Sequence, residues 1–124
     1  MATWHIALLL AYAGGMSIGQ VLFKLAATDA FRASPGDATA NQIVRLALNP
    51  YFAGAMLMYL LLSVMWVWIL SFTPLSRAYP FVAAAFVATP LLGHLLFHEA
   101  IDLRFLLGLI LIVCGLMLVV GREP

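Results

Sequence analysis

The sequence predicts an all-α integral membrane protein with four transmembrane helices and a short interfacial helix between the first and second. Two observations carry that prediction. Of 124 residues, 65% are hydrophobic and only 9% are charged, whereas an ordinary globular domain is roughly half apolar and about a quarter charged. The apolar residues also gather into stretches near 4–27, 50–72, 74–97 and 105–121, each close to the roughly 20 residues a helix needs to cross the hydrocarbon core. Together they make residues 1–124 a single transmembrane domain with no room for a soluble catalytic domain. No nucleophile and base pair stands at usable spacing, so no enzymatic activity is expected. Six basic against five acidic residues give a net charge of +1 without a basic stripe, which excludes nucleic-acid binding. The one cysteine, Cys114, lies in an apolar run and supplies neither a disulfide framework nor a thiol cluster for a metal.

The first stretch, from Trp4 to Ala27, has no Lys or Arg ahead of it of the kind that opens a signal peptide, and is read as a retained helix. From Thr28 to Thr39, Asp29, Arg32, Ser34, Pro35, Gly36 and Asp37 combine charge with turn formers and predict a loop. Between Asn41 and Leu48, Ile43, Val44, Leu46 and Leu48 accompany Gln42 and Arg45 over a length too short to span, which suits a helix lying in the interface. Asn49 before Pro50 reads as an N-cap followed by proline at the first helical position. The second span opens there, with Tyr51 and Phe52 at one end and Trp66 and Trp68 toward the other as interface anchors. Thr73 and Pro74 repeat the start signal almost at once, so spans two and three form a tight hairpin. Pro80 and Pro90 each remove a backbone donor within span three, freeing the carbonyls of Ser76 and Phe86. They are the expected hinge of a kinked or mobile helix. His98, Glu99, Asp102 and Arg104 then form a polar turn before the last span. Arg32, Arg45 and Arg104 flank one side, against Arg122 on the other, a weak lean toward termini that face away from the cytoplasm.

An ionisable side chain at the centre of a span costs at least about 2.5 kcal/mol, which makes each one a functional candidate. Lys24 follows Gly14, Gly15, Ser17, Gly19 and Gln20, and steps of three and four place Ser17, Gln20 and Lys24 on one side of the helix. That side is either a polar track for a ligand or a packing face on which Gln20 bonds a neighbour while Lys24 snorkels to head groups. Arg77 stands one turn inside span three, where the helix N-terminus already favours an anion. Guanidinium forks match phosphate oxygens, so Arg77 is the leading candidate to grip a lipid or sugar phosphate, with an interfacial snorkelling arginine as the alternative. Tyr79 either bonds a head group or belongs to the aromatic belt. His94 and His98 are four apart, but Leu95 follows His94 where a zinc protease needs glutamate. Neither a metal nor a cofactor is expected. Glu99 is read as a turn residue that bonds backbone donors or Arg104. Gly108 and Gly115 face one side of the last span, a small-residue groove for close packing between chains or within one.

In order and spacing, Gly19-Gln20 with Lys24, Asn49-Pro50, Pro74-Leu75-Ser76 with Ala78-Tyr79-Pro80, His98-Glu99 with Arg104, and Gly108 with Gly115 resemble a four-helix member of the drug/metabolite transporter superfamily. Two branches compete. The small multidrug resistance family is similar in length, helix count and glycine pair, which there implies dimerisation. Its proton and substrate exchange depends on a helix-one glutamate where this chain has Met16, and no other acid lies in a span core. The flippase subunits for 4-amino-4-deoxy-L-arabinose phosphoundecaprenol resemble this chain in Gly19-Gln20 followed by Lys24, in Ala78-Tyr79-Pro80 and in His98-Glu99. Arg77 departs from the apolar residue expected there, and the loop is longer. This resemblance implies a multi-pass protein of the bacterial inner membrane, working as a homodimer or as a heterodimer with a related four-helix chain. It implies a polyprenyl-phosphate-linked sugar or a similar anionic membrane lipid as cargo, and the residues read above add the expectation that Lys24 and Arg77 hold the phosphate while Gln20, Ser17 and Tyr79 bond the sugar. Cations without a buried acid suit an anionic phosphate better than a cationic drug. The competing expectations are a multidrug-type exporter of cationic or small polar compounds and a non-transporting scaffold subunit.

Overall fold

A backbone in lipid must satisfy its own hydrogen bonds, so long apolar stretches resolve into helices. The computed structural model describes residues 2–32 and 35–122; Ser34, named above, lies outside them. Its α-helices are α1 (Thr3–Ala27), α2 (Thr39–Leu48), α3 (Pro50–Leu70), α4 (Leu75–Val82), α5 (Ala85–Phe97) and α6 (Leu103–Val120). Four segments are long and apolar enough to cross a membrane: α1 with the turn after it, α3, the α4–α5 pair and α6. The short α2 lies between the first two, as the sequence predicts, with none of its residues buried. Successive crossings put the start of α1, the α3–α4 turn and the end of α6 at one end of the bundle. There Trp4 meets Phe72, with ring centroids 5.3 Å apart. The α1–α2 connection and the α5–α6 turn occupy the other, the loop end.

Helix α1 is the hub and packs along α3, α4 and α5. Near the terminal end Leu9, Ile69 and Ala78 form a buried cluster, one from each of α1, α3 and α4. Farther along, α1 presents small residues to α3. A Cβ on Gly19 would stand 2.7 Å from Tyr59 Cε2, so glycine alone leaves room for the Tyr59 ring, which stacks on Phe23 with centroids 5.2 Å apart. The Tyr59 hydroxyl donates to the Met16 carbonyl at 3.2 Å and accepts from the Gln20 amide at 2.9 Å.

The caps explain where the helices start. Buried Asn49 accepts from the Tyr51 and Phe52 N–H groups at 2.9 and 3.3 Å, with Pro50 in the first turn. Its amide also donates to Asp29 at 3.4 Å, tying the start of α3 to the segment after α1. Asp102 caps α6 by accepting from the Phe105 N–H at 2.9 Å. His98 closes α5 in the left-handed region, at φ 54°.

Three features depart from the sequence expectations. Thr28–Arg32, expected as loop, winds on from α1 as a π turn. The Thr28 hydroxyl donates to the Lys24 carbonyl at 2.9 Å, an acceptor that the Thr28 backbone N–H also bonds. Thr73-Pro74 does not act as cap and first residue. Thr73 still belongs to the last turn of α3, its N–H donating to the Ile69 carbonyl at 3.0 Å, so Pro74 falls at the cap position without a side-chain bond. The third span breaks at Ala83–Ala84, between Pro80 in α4 and Pro90 in α5, rather than at either proline. With the Ser76 carbonyl freed by Pro80, α4 has little ladder to propagate. The chain then tightens into three-residue bonds, Ala84 to Phe81, Phe86 to Ala83 and Val87 to Ala84 at 3.0, 2.9 and 3.1 Å, before α5 resumes.

Helix α6 packs within the chain against α4 and α5, and Leu109 is its one buried residue. Nothing lies within 4 Å of a Cβ built on Gly108 or Gly115, so among the described residues the glycine pair is not used for packing inside the chain.

Asn49→Ala removes the α3 cap and should lower stability by about 1 kcal/mol, read as a fall in Tm of the detergent-solubilised protein; an unchanged Tm would contradict that cap. His98→Gly relieves the left-handed strain of a side chain and should raise stability by up to about 1 kcal/mol, whereas His98→Val should lower it in the same melts.

Candidate functional site

Lys24 lies in the last turn of α1 and Glu99 just beyond the end of α5, so both reach the loop end of the bundle. They meet at the mouth of a cleft of about 520 Å³ between α1, α5 and the start of α6. Lys24 Nζ stands 3.1 Å from Glu99 Oε1, and the two side chains stay 41% and 49% exposed. The Phe97 ring centroid is 6.0 Å from the ammonium, near enough for its π face to attract the charge.

The turn around Glu99 is built to hold that carboxylate. His98 reverses the chain through its left-handed conformation. The Glu99 N–H returns a long bond of 3.5 Å to the Gly93 carbonyl. His94 Nδ1 donates to the Glu99 carbonyl at 2.7 Å. Glu99 Oε2 lies against Gly93, where a Cβ would come within 2.7 Å of it; a larger residue there would push the carboxylate aside.

Phe23, Phe97 and Phe105 make much of the remaining wall, and Gln20 and Thr89 bring polar groups deeper into it. Behind the wall Thr89 donates to Ser17 Oγ at 3.1 Å, and buried Ser17 donates to the Ala13 carbonyl at 3.2 Å. The arrangement offers a cation and an anion at the cleft mouth, with aromatic surface and hydroxyl and amide groups along its wall. That combination suits an amphiphile with a charged head.

Of the expected binding residues, Lys24 and Gln20 line the cleft. Ser17 is corrected to an interhelical tie with no accessible surface to offer. Arg77 and Tyr79 are corrected to the opposite end of the bundle. Their neighbour Ala78 packs on Leu9, and from position 9 to position 24 the α1 axis runs about 22 Å at the helical rise. One phosphate cannot touch both Lys24 and Arg77 of one chain. Arg77 is exposed and has no ion-pair partner among the described residues. Tyr79 sets its ring edge-on to Trp66, centroids 6.3 Å apart. Glu99 is likewise corrected: its carboxylate pairs with Lys24 and not with Arg104, which is exposed. Thr89, Phe97 and Phe105 were missed because they sit in apolar runs that look like ordinary span. Among the described residues no three His, Cys, Asp or Glu side chains gather as metal ligands.

No solved structure matches this chain. Several bacterial proteins do, under the name "Probable 4-amino-4-deoxy-L-arabinose-phosphoundecaprenol flippase subunit ArnE". The one from Hamiltonella defensa is 32% identical over 83 residues, covering 66% of this chain and 68% of the relative. That from Pectobacterium atrosepticum is 38% identical over 74 residues, 57% of this chain and 66% of the relative. That from Pseudomonas paraeruginosa is 40% identical over 58 residues, 47% of this chain and 50% of the relative. The chain thus spans between half and about two thirds of the length of these curated relatives. They are the flippase subunits that Gly19-Gln20 with Lys24 and His98-Glu99 brought forward as a resemblance. A family model described as "Putative transmembrane family 234" matches residues 16–120, from Met16 in the middle of α1 through both halves of the third span to the end of α6, and the chain belongs to that family.

Proposed function

We propose that this protein is a subunit of a small transporter of the bacterial inner membrane that moves a polyprenyl-phosphate-linked sugar, or a similar anionic lipid, between leaflets. The observation that carries the reading is the placement of Lys24: an ammonium at the membrane boundary, at the mouth of a cleft walled by Phe23, Phe97 and Phe105. A phosphate takes the ammonium, Gln20 and Thr89 bond sugar hydroxyls, and the isoprenoid tail stays in lipid. The relatives' name, a flippase subunit for a sugar linked to phosphoundecaprenol, supports the same cargo class.

Arg77 then serves a second station. It stands at the opposite end of the bundle with its guanidinium exposed, where a phosphate arriving in the other leaflet meets it. Between the two stations the third span is interrupted at Ala83–Ala84, with Pro80 and Pro90 on either side, and this interruption lets α4 and α5 tilt separately. The open side of α6 at Gly108 and Gly115 accepts a second four-helix chain, identical or related, since small residues allow close helix approach in lipid.

The test is lipid translocation in vesicles made from membranes that hold the full chain and its native partners. Lys24→Gln should slow translocation at least about tenfold, the loss expected for one charged hydrogen bond, with unchanged protein in the membrane. Arg77→Ala should slow translocation while leaving retention of polyprenyl phosphate by the purified protein, read by native mass spectrometry, unchanged. Wild-type translocation by Lys24→Gln would overturn the assignment.

A further inference from the structure

We infer that Tyr59 and Ser17, neither of which lines the cleft, are positioning residues that fix the Gln20 and Thr89 oxygens as hydrogen-bond acceptors, so that a head group must meet both with donors. The inference rests on the lipid-linked cargo proposed above. It adds the sense of the hydrogen bonds in the cleft and the residues that set it.

Each of the two cleft groups ends a chain of hydrogen bonds that starts on a backbone carbonyl of α1. A carbonyl carries no proton and can only accept. The Met16 carbonyl lies 3.2 Å from the Tyr59 hydroxyl, so the one phenolic proton is committed to it. Toward Gln20 the hydroxyl keeps only lone pairs, and the contact of 2.9 Å has to be made by the amide nitrogen. An amide turned the other way would set two oxygens face to face with no proton between them. Gln20 Oε1 is thereby held away from Tyr59, and no described residue donates to it.

The second chain obeys the same rule. The Ala13 carbonyl takes the Ser17 proton at 3.2 Å, and Ser17 Oγ in turn takes the Thr89 proton at 3.1 Å. Ser17 is 1% exposed, so water offers it no other partner. Thr89 is left with lone pairs for the cleft. The two chains pass through different helices, α3 in one and α5 in the other, and arrive at the same polarity. Among the lining residues Lys24 alone is cationic. A phosphate is therefore drawn to the mouth, while the donor-bearing part of the head group turns to Gln20 and Thr89. A ligand oxygen that can only accept, such as an ether, would face lone pairs at both places, and a site whose polar groups go unmatched rejects such an analogue.

The experiment measures retention of a polyprenyl-phosphate-linked hexose by the purified protein in nanodiscs, against the same lipid methylated at each free hydroxyl in turn. In the wild type at least one methyl ether should be held about tenfold or more less tightly than the parent. Tyr59→Phe keeps the ring packed at Gly19 and frees the Gln20 amide to turn its nitrogen to the cleft. Ser17→Ala frees the Thr89 proton. Each variant should recover at least about threefold of the loss for a methyl ether while holding the parent lipid as the wild type does, since a hydroxyl can accept as well as donate. Thr89→Val should lower the ratio from the other side, by weakening the parent. A purely structural role for Tyr59 or Ser17 would weaken parent and ether alike, and a steric clash with the methyl group would persist in both variants. Equal retention of the parent and every ether by the wild type, or recovery in neither Tyr59→Phe nor Ser17→Ala, overturns the inference and leaves the lipid-transport reading standing. Failure of the wild type to retain the parent lipid overturns both.

Discussion

The constraint on which this bundle depends is the close approach of α1 to α3 at Gly19. Lipid tails are as apolar as leucine, so helices in a membrane associate through tight packing and hydrogen bonds rather than through exclusion of water. The Tyr59 ring fills the space that a side chain at position 19 would occupy, and its hydroxyl joins the Met16 carbonyl to the Gln20 amide. On another side of α1, Ser17 is tied to Thr89 of α5. Two unlike partners therefore hold α1 in place across the same short stretch of helix. From Thr89 toward the loop end, the space between α1 and α5 is not filled by side chains and becomes the cleft. Gln20 belongs to both arrangements, since its amide locks onto Tyr59 while its side chain lines the cleft. Packing thus sets the orientation of a polar group that lines the cleft.

Much of this was legible in the residue pattern, and the failures have physical causes. Hydropathy marks the spans because a membrane helix needs a minimum apolar length, and Asn49-Pro50 marks the start of α3 because the cap chemistry is local. Glu99 is different. Its partner Lys24 stands in another helix, and no local rule links the two. Counting crossings does contain the signal: a residue at the end of span one and one at the end of span three share a side of the membrane, whereas Arg77, at the start of span three, faces the other. The pairing of Lys24 with Arg77 on one phosphate conflicts with that parity. The π turn after Ala27 was hidden by Asp29, Arg32 and the turn formers beyond them, which mask a backbone that continues to coil. The break in span three was placed at the prolines because the donor lost at Pro80 is visible in sequence. The break itself falls at Ala83–Ala84, three residues beyond Pro80, a place that the lost donor alone does not specify.

Charges at the two ends of the bundle follow different logic. At the loop end Lys24 is paired with Glu99 and Arg45 with Asp37, the latter at 2.7 Å, while Asn49 bonds Asp29. At the terminal end Arg77 is exposed without an ion-pair partner among the described residues. A surface pair such as Arg45–Asp37 contributes little to stability, and the exposure of Lys24 and Glu99 argues the same for them. Their pairing matters more as competition. A carboxylate attached to the same protein is an internal ligand for the ammonium, present at a high effective concentration. It weakens every external phosphate by a constant factor and re-forms as that phosphate leaves. A transporter needs this kind of moderation, because a site that held its lipid through an uncontested Lys24 would bind well and release slowly. Arg77, which has no such competitor among the described residues, would in the proposed cycle rely on solvent exposure to keep its hold weak. In the proposed cycle the two stations therefore reach moderate affinity by different means, exchange of partners at the loop end and hydration at the other.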